Sequence, residues 1–397
     1  MDITPSQKIA STGSYAFAEV NKLVDQLKEK GISPIDFGVG DPSSPVPDFV
    51  IEAGYAGMQK HATTGYPSYI GMPSFRQAAA DYMQRRFGVA LDPETEISSN
   101  IGSKEAIFNL PLGLIDPGDL VIIASPGYPP FSTGTRFAGG EPYFVGLFPE
   151  NDFMIDYEAI PEDVAKRAKM MWLNYPNSPT GKAASLDWYR GLIDWAQKHE
   201  IILAADEGCY IDMYFDESEP PHSILELARD GIITFYSMSK RNNMTGWRTG
   251  FVAGDARLID IYKKVKTNVD SGTPSFVQEG AIAAMNDDSH VAAMRDEYRE
   301  KKDIMLSALA DAGLPAPSID ATFYIWQRAP EGVSGVELAK KLLADDIAVV
   351  TTPGEWISQA DSGDGRNPGA DFIRFALVPS VVDVQAAADR IRQHLKF

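Results

Sequence analysis

Apolar and polar positions alternate along the chain in a way that divides it into two kinds of segment. "LVIIASP" (120–126), "MMWLNYP" (170–176), "IILAADE" (201–207), "IITFYSMS" (232–239) and "TGFVAGD" (249–255) are short continuous apolar runs rich in β-formers. Each closes on Gly, Pro, Ser or an acidic residue, and this pattern predicts buried strands. Between them, "SKEAIFNLPLGL" (103–114) and "LDWYRGLIDWAQKH" (186–199) carry helical periodicity. Buried strands separated by helices predict an α/β fold, a three-layer sandwich around a mostly parallel sheet with right-handed crossovers. From about residue 290 the pattern changes. A charged helix, "MRDEYREKKDIMLSALADAG", precedes the shorter strands "ATFYIWQ" (321–327), "IAVVTTP" (347–353) and "DFIRFALVP" (371–379). These predict a smaller α+β domain. The expected division is 1–45 as an N-terminal arm joining the small domain, 46–289 as the large domain and 290–397 as the small one. "DSGDGRNPGAD" (361–371) has no periodicity and is rich in Gly and Asp, so it reads as an exposed loop.

Composition narrows the function. The 397 residues allow two domains or more, and 55 acidic against 36 basic residues give a formal charge of −19. Such a surface repels phosphate backbones, so nucleic acid is not an expected partner. The single cysteine, Cys209, excludes an internal disulfide framework and fits a reducing cytoplasm. No apolar run is long enough to span a membrane, and the opening "MDITPSQKIASTGSYAF" lacks the pattern of a signal peptide. No Cys/His cluster has zinc spacing, so no metal is expected.

Ligands of open α/β sheets bind at the carboxyl ends of the strands. The polar residues expected there are Ser125, Asn174, Asp206, Ser237, Ser239 and Lys240. In "SMSKRNNMTGWRTG" (237–250), Lys240 follows a buried strand. Near a desolvated pocket its amine could attack an aldehyde, although any one lysine is more often solvated. Arg248 can clamp a phosphate, with hydroxyls from Ser237 and Ser239. In "NIGSKEAIF" (100–108), Gly102 and Ser103 begin a helix whose free amides suit an anion, or simply cap it. Asp206 ends a buried strand, where a carboxylate is costly unless paired. A protonated ring nitrogen would pair with it and become an electron sink.

The order and spacing of these motifs resemble the class I/II aminotransferases, fold type I enzymes that use pyridoxal 5′-phosphate. The resemblance runs from about residue 30 to the C-terminus. It implies that Lys240 bonds the cofactor aldehyde and later moves a proton between Cα and C4′. It implies that Asp206 pairs with the ring nitrogen, and that Arg248, Ser237, Ser103 and the amide of Lys104 cradle the phosphate. Tyr128 in "SPGYPPF" matches the aromatic that stacks on the ring. Arg374 in "FIRFALVP" and Gly40 in "FGVGDP" match the groups that receive the substrate carboxylate. Tyr66 in "YPSYIGMPSFR" matches the tyrosine that reaches the neighbouring subunit's phosphate, which implies a homodimer with shared sites.

Two positions depart from the family pattern. "NYPNSPTG" (174–181) puts Ser178 where the family has the asparagine that bonds the phenolic oxygen, with Asn174 and Asn177 close by. "ADEGCYIDMYF" places Tyr210 four residues after Asp206 rather than three. The expectation is a small loop shift that restores both bonds through Asn177 and Tyr210, since buried polar atoms are rarely unpaired. The alternative is a changed basicity at the cofactor. "GYPSYIGMPSFR", "NMTGWRTGF" and "KTNVDSG" resemble the LL-diaminopimelate aminotransferase group in particular. That resemblance implies amino transfer to 2-oxoglutarate by a ping-pong route through pyridoxamine phosphate. N-succinyl-diaminopimelate, aspartate or another amino acid as donor, and a C–S β-lyase on the same fold, are the rival readings.

Overall fold

The computed structural model describes residue 1 and residues 3–10, 18–42 and 44–397. Part of the expected N-terminal arm, residues 11–17, therefore lies outside the described residues. The central sheet has seven strands: β1 (Ile97–Asn100), β2 (Leu120–Ser125), β3 (Glu141–Gly146), β4 (Ala168–Leu173), β5 (Ile202–Gly208), β6 (Ile232–Ser237) and β7 (Gly250–Gly254). Their spatial order is β1-β7-β6-β5-β4-β2-β3. Five neighbouring strands run parallel, from β3 to β6, while β7 and β1 add antiparallel at one edge. The fold class is thus α/β with a mostly parallel central sheet.

The strand sequences are apolar at nearly every position because both faces are covered. Along β2, Ile122 and Ala124 join one core while Val121 and Ile123 join another on the opposite face. The first core is closed by helices that include α1 (Asp48–Lys60), α2 (Pro73–Phe87) and the helix Leu186–Lys198. The second is closed by α3 (Ser103–Leu114) and the helix Ala256–Val269. Three layers follow from that alternation of period two.

A separate cluster packs the helices Ser289–Asp311 and Val381–His394 against a three-stranded antiparallel sheet of Tyr324–Arg328, Phe372–Ala376 and Thr352–Pro353. Phe37, far away in the chain, is buried in the same cluster. The run expected as one strand over 347–353 is split. Val349–Val350 pairs with Ile35–Asp36, and Thr352–Pro353 pairs with the C-terminal strand, so the chain changes sheets at Thr351. The strand expected from 321 begins at Tyr324, because Thr322 sits at φ 73°, a conformation that breaks an extended run. The 361–371 segment is exposed through Arg366 but tethered. Ser362 exchanges hydrogen bonds with Phe144, and Asp361 accepts from Gly146 N, so the segment covers the open edge of β3.

Candidate active site

At the carboxyl ends of β4, β5 and β6 the structure opens a cavity of about 650 Å³. Gly40, Ser103, Lys104, Tyr128, Asp206, Tyr210, Ser237, Ser239, Lys240, Arg248 and Arg374 all border it. They come from seven separate stretches of sequence. Four residues predicted for the site do not border it, and one of them, Ser125, donates instead to the Gln359 carbonyl at 2.7 Å. Gly102 lies just behind Arg248. Tyr66 is 83% exposed on the outside of the chain. Asn177 is turned away: its amide oxygen accepts from Thr180 N at 3.2 Å and Thr180 Oγ1 at 2.8 Å, which commits it to its own turn. Asn174 and Ser178 face the cavity in its place. Asn174 donates to the Asp206 carbonyl at 2.7 Å and accepts from Ser178 N at 2.9 Å, so the two are fixed to each other.

The cations here lack carboxylate partners among the described residues. Lys240 sits in the short helix Met238–Arg241 directly after β6, and its Nζ donates to the Gly40 carbonyl at 2.5 Å. Among the described residues Arg248 donates only to the carbonyls of Thr245 (2.8 Å) and Ile101 (3.5 Å). Its guanidinium lies so close to the start of α3 that a Cβ on Gly102 would be 2.5 Å from Nη2. Gly102 also has φ 77°, so no other residue suits that position. Arg374 donates to the Gly38 carbonyl at 2.7 Å, lies 4.8 Å from the Tyr324 ring centroid, and leaves its Nε unpartnered. Each guanidinium is anchored by neutral oxygens and keeps its charge for an anion.

Asp206 is the converse. It is buried near the end of β5, and its Oδ1 has no partner among the described residues. Burial pushes its carboxyl up to about 7, opposed only by a hydrogen bond from Cys209. An aromatic ring carrying N–H⁺ would satisfy that oxygen and return the carboxylate to its charged form. The residues present therefore fit a pyridinium cofactor with a phosphate tail.

Tyr210 reaches the cavity despite its extra residue. The register between β5 and β6 slips between Asp206 and Gly208, leaving Glu207 as the bulged residue. Gly208 lies against the Tyr236 ring, where any Cβ would collide. The bulge absorbs the insertion, and Tyr210 donates to Tyr324 Oη at 3.2 Å.

Sequence reasoning did not single out Tyr324, Cys209, Thr245 or Ile357, all of which border the cavity. Thr322 at φ 73° just before Tyr324 marks a constrained approach to a site, but that signal exists only in the backbone. Ile357 arrives from the small α+β part and has no sequence signal at all.

Residues 32–391 match the family described as aminotransferase class I and II. The chain is 42% identical over 390 residues to an LL-diaminopimelate aminotransferase of Aquifex aeolicus, covering 98% of each chain. A solved aminotransferase from Neisseria meningitidis has a TM-score of 0.90 at 30% identity, covering 99% of this chain and 100% of that one. A probable N-succinyldiaminopimelate aminotransferase from Thermus thermophilus has 0.86 at 30% identity, covering 96% and 100%. With that match over nearly its whole length, and a lysine, a bare aspartate and two uncommitted arginines around one cavity, the chain belongs to the class I and II aminotransferases, pyridoxal-phosphate-dependent transaminases.

Proposed function

We propose that this transaminase moves an amino group from LL-diaminopimelate to 2-oxoglutarate in two half-reactions at one site. Relatives about 40% identical over nearly the whole chain carry that name. The observation that carries the reading is the set of cations facing the cavity without a carboxylate, which suits an anionic cofactor and an anionic substrate together.

In this reading Arg248, Ser237 and Ser239 hold the phosphate with the first amides of α3, at Ser103 and Lys104, beside Gly102. Asp206 holds the ring nitrogen protonated, and Tyr128 covers the ring. Tyr210 bonds the phenolic oxygen, helped by Asn174 or Ser178 rather than Asn177. Arg374 grips the α-carboxylate, with the backbone of Gly40 alongside. Lys240 carries the proton between the substrate Cα and the cofactor's C4′. When bound, the cofactor supplies an electron sink for the bond broken at Cα. The division at residues 45 and 289 belongs to this proposal. Residues 46–289 would bind the cofactor, while 290–397 with the arm would bring Arg374.

Tyr66 points outward on this chain and would serve a second copy. Ile51, Tyr55 and Met58 are exposed on α1, so the reading includes a homodimer with shared sites. No described helix is long and apolar enough to cross a membrane. With the single cysteine free, the reading places the enzyme in the cytoplasm.

The test is a panel of amino donors with 2-oxoglutarate, following glutamate. LL-diaminopimelate should give the highest kcat/KM. A higher value with N-succinyl-diaminopimelate, the reading favoured by the Thermus thermophilus likeness, or with aspartate would overturn the assignment.

A further inference from the structure

Lys240 and Tyr210 must stand in fixed relation for any chemistry at this site, and the sheet alone does not set that relation. Lys240 lies in a four-residue helix, far too short to hold its own shape. Tyr210 lies beyond a bulge, where the ladder between β5 and β6 has already slipped. The backbone of its turn bonds mainly to itself, with Tyr210 N and Ile211 N both donating to the Glu207 carbonyl.

Next to each residue is one half of a buried ion pair. Arg241 follows Lys240, and Asp212 is in the turn that carries Tyr210. Arg241 Nε donates to Asp212 Oδ2 at 2.7 Å, and both side chains are about 5% exposed. Arg241 also donates to the Ala284 carbonyl at 2.8 Å and pairs with Asp288. Asp212 accepts from Tyr82 Oη at 2.8 Å and from Arg86 Nε at 2.9 Å, both on α2. Arg86 further donates to the Ile211 carbonyl at 3.4 Å, on the same turn. None of Arg241, Asp212, Tyr82 and Arg86 borders the cavity.

We propose that the Arg241–Asp212 pair is a positioning pair that holds the Lys240 amine and the Tyr210 phenol at a set separation. Apolar residues of the same volume hold a fold about as well as a buried ion pair does. What they lack is direction. The guanidinium fixes the short helix and the turn in one mutual orientation through three donors aimed at separate acceptors. This also accounts for the extra residue after Asp206. The bulge frees the turn from the sheet, and Asp212 ties it down again.

The test uses the cofactor-loaded enzyme. Its main readout needs no substrate, namely the pH midpoint of the bound cofactor's visible absorbance, which reports the surroundings of the lysine and the phenolic oxygen. Tyr82, Arg86, Asp287, Asp288 and His290 face the pair, and all lie outside the cavity lining. Arg241→Met and Asp212→Asn should each move the midpoint in the same direction by about one pH unit and lower kcat on the order of 10-fold or more, with KM within about 3-fold. The double variant should be no worse than the worse single one, and Arg241→Lys should recover part of the loss. Should Arg241→Met fail to fold, Asp212→Asn carries the same readings and Arg241→Lys should show a smaller change in the same direction. If melting temperatures fall while midpoint and kcat stay at wild-type values, the pair serves only the fold and the proposal is wrong. It is equally wrong if the two single effects add in the double variant.

Discussion

Asp206 and Asp212 occupy one strand end and the turn that leaves it, and both are buried, yet their surroundings are opposite. Burial pushes Asp212 up, but Arg241 and Arg86 outweigh it and hold the carboxyl below its usual range. Burial pushes Asp206 up to about 7, and no cation among the described residues answers it. The cations divide in the same way. Arg241 is spent on Asp212 and Asp288, whereas Arg248 is held by carbonyls alone. A chain able to bring two arginines to one carboxylate has left the neighbouring one bare. The physical reading is that Asp212 is completed by the protein and Asp206 by a ligand.

The sharpest way to break that contrast is to remove the group that faces the ligand rather than the fold. Lys240→Ala should lower amino transfer on the order of 10⁴-fold or more, because it removes the amine that the proposed function assigns to the proton transfer. Its melting temperature should change little, since Lys240 is only part-buried and forms no ion pair among the described residues. Normal turnover in this variant, measured as glutamate formed, would remove Lys240 from the mechanism.

Asp206→Asn should lower kcat on the order of 10³-fold, since a neutral amide no longer keeps the ring nitrogen charged. The same variant tests the comparison through stability. In the cofactor-free protein the folded state keeps a proton on Asp206 that the unfolded chain releases above its ordinary value of 3.8. Stability should therefore fall as pH rises from about 4 to about 7, on the order of a few kcal/mol in total. Glu207, pushed up to about 7 by burial on the other face of the strand, adds a similar fall of its own. Asp206→Asn should remove one of these two contributions, read as a flatter melting temperature between pH 4 and 7. Asp212 has the opposite sign: its stabilisation is present above the ordinary carboxylate value and is lost as pH falls through its lowered one. Asp212→Asn should thus cost stability at neutral pH, where Asp206→Asn costs none.

Arg374→Ala should raise KM for amino and oxo acids alike by about 100-fold, the worth of a two-pronged charged contact, and leave cofactor affinity unchanged. A loss of cofactor affinity instead would mean that Arg374 supports the cavity wall and does not receive the substrate.

The contrast between the two aspartates was only half legible in the sequence. The strands could be read because burial on both faces makes them continuously apolar, and the chemistry at their ends follows from that. Lys240, Asp206 and Arg248 were therefore found from the residues themselves, whereas Arg374, inside a strand of the small sheet, came only from the family resemblance, and all four border one cavity. Asn177 was misplaced because choosing among three polar residues in one short turn depends on which of them that turn consumes, and Thr180 consumes Asn177. The bulge at Glu207 was visible only as one residue too many. That Asp212 meets two arginines depends on contacts from α2 and from the helix after β6, which no local pattern encodes. Tyr324 and Ile357 were missed for the same reason, since tertiary packing alone brings them to the site.

The smallest expected effect concerns a residue that the single chain leaves outside its own site. Tyr66 is 83% exposed, which is unusual for a tyrosine. Tyr66→Phe removes one hydroxyl and no apolar surface. If that hydroxyl bonds the phosphate in a second copy, the cofactor's Kd should rise by about 10-fold, the worth of one hydrogen bond to a charged group. The measurement is a cofactor titration at protein concentrations above and below self-association. In the wild type the affinity should fall as the copies separate, and in the variant the two concentrations should differ less. A monomer that binds the cofactor as tightly as the associated protein would show that Tyr66 is an ordinary surface residue. The cavity would then be completed, as Asp212 is, by this chain alone.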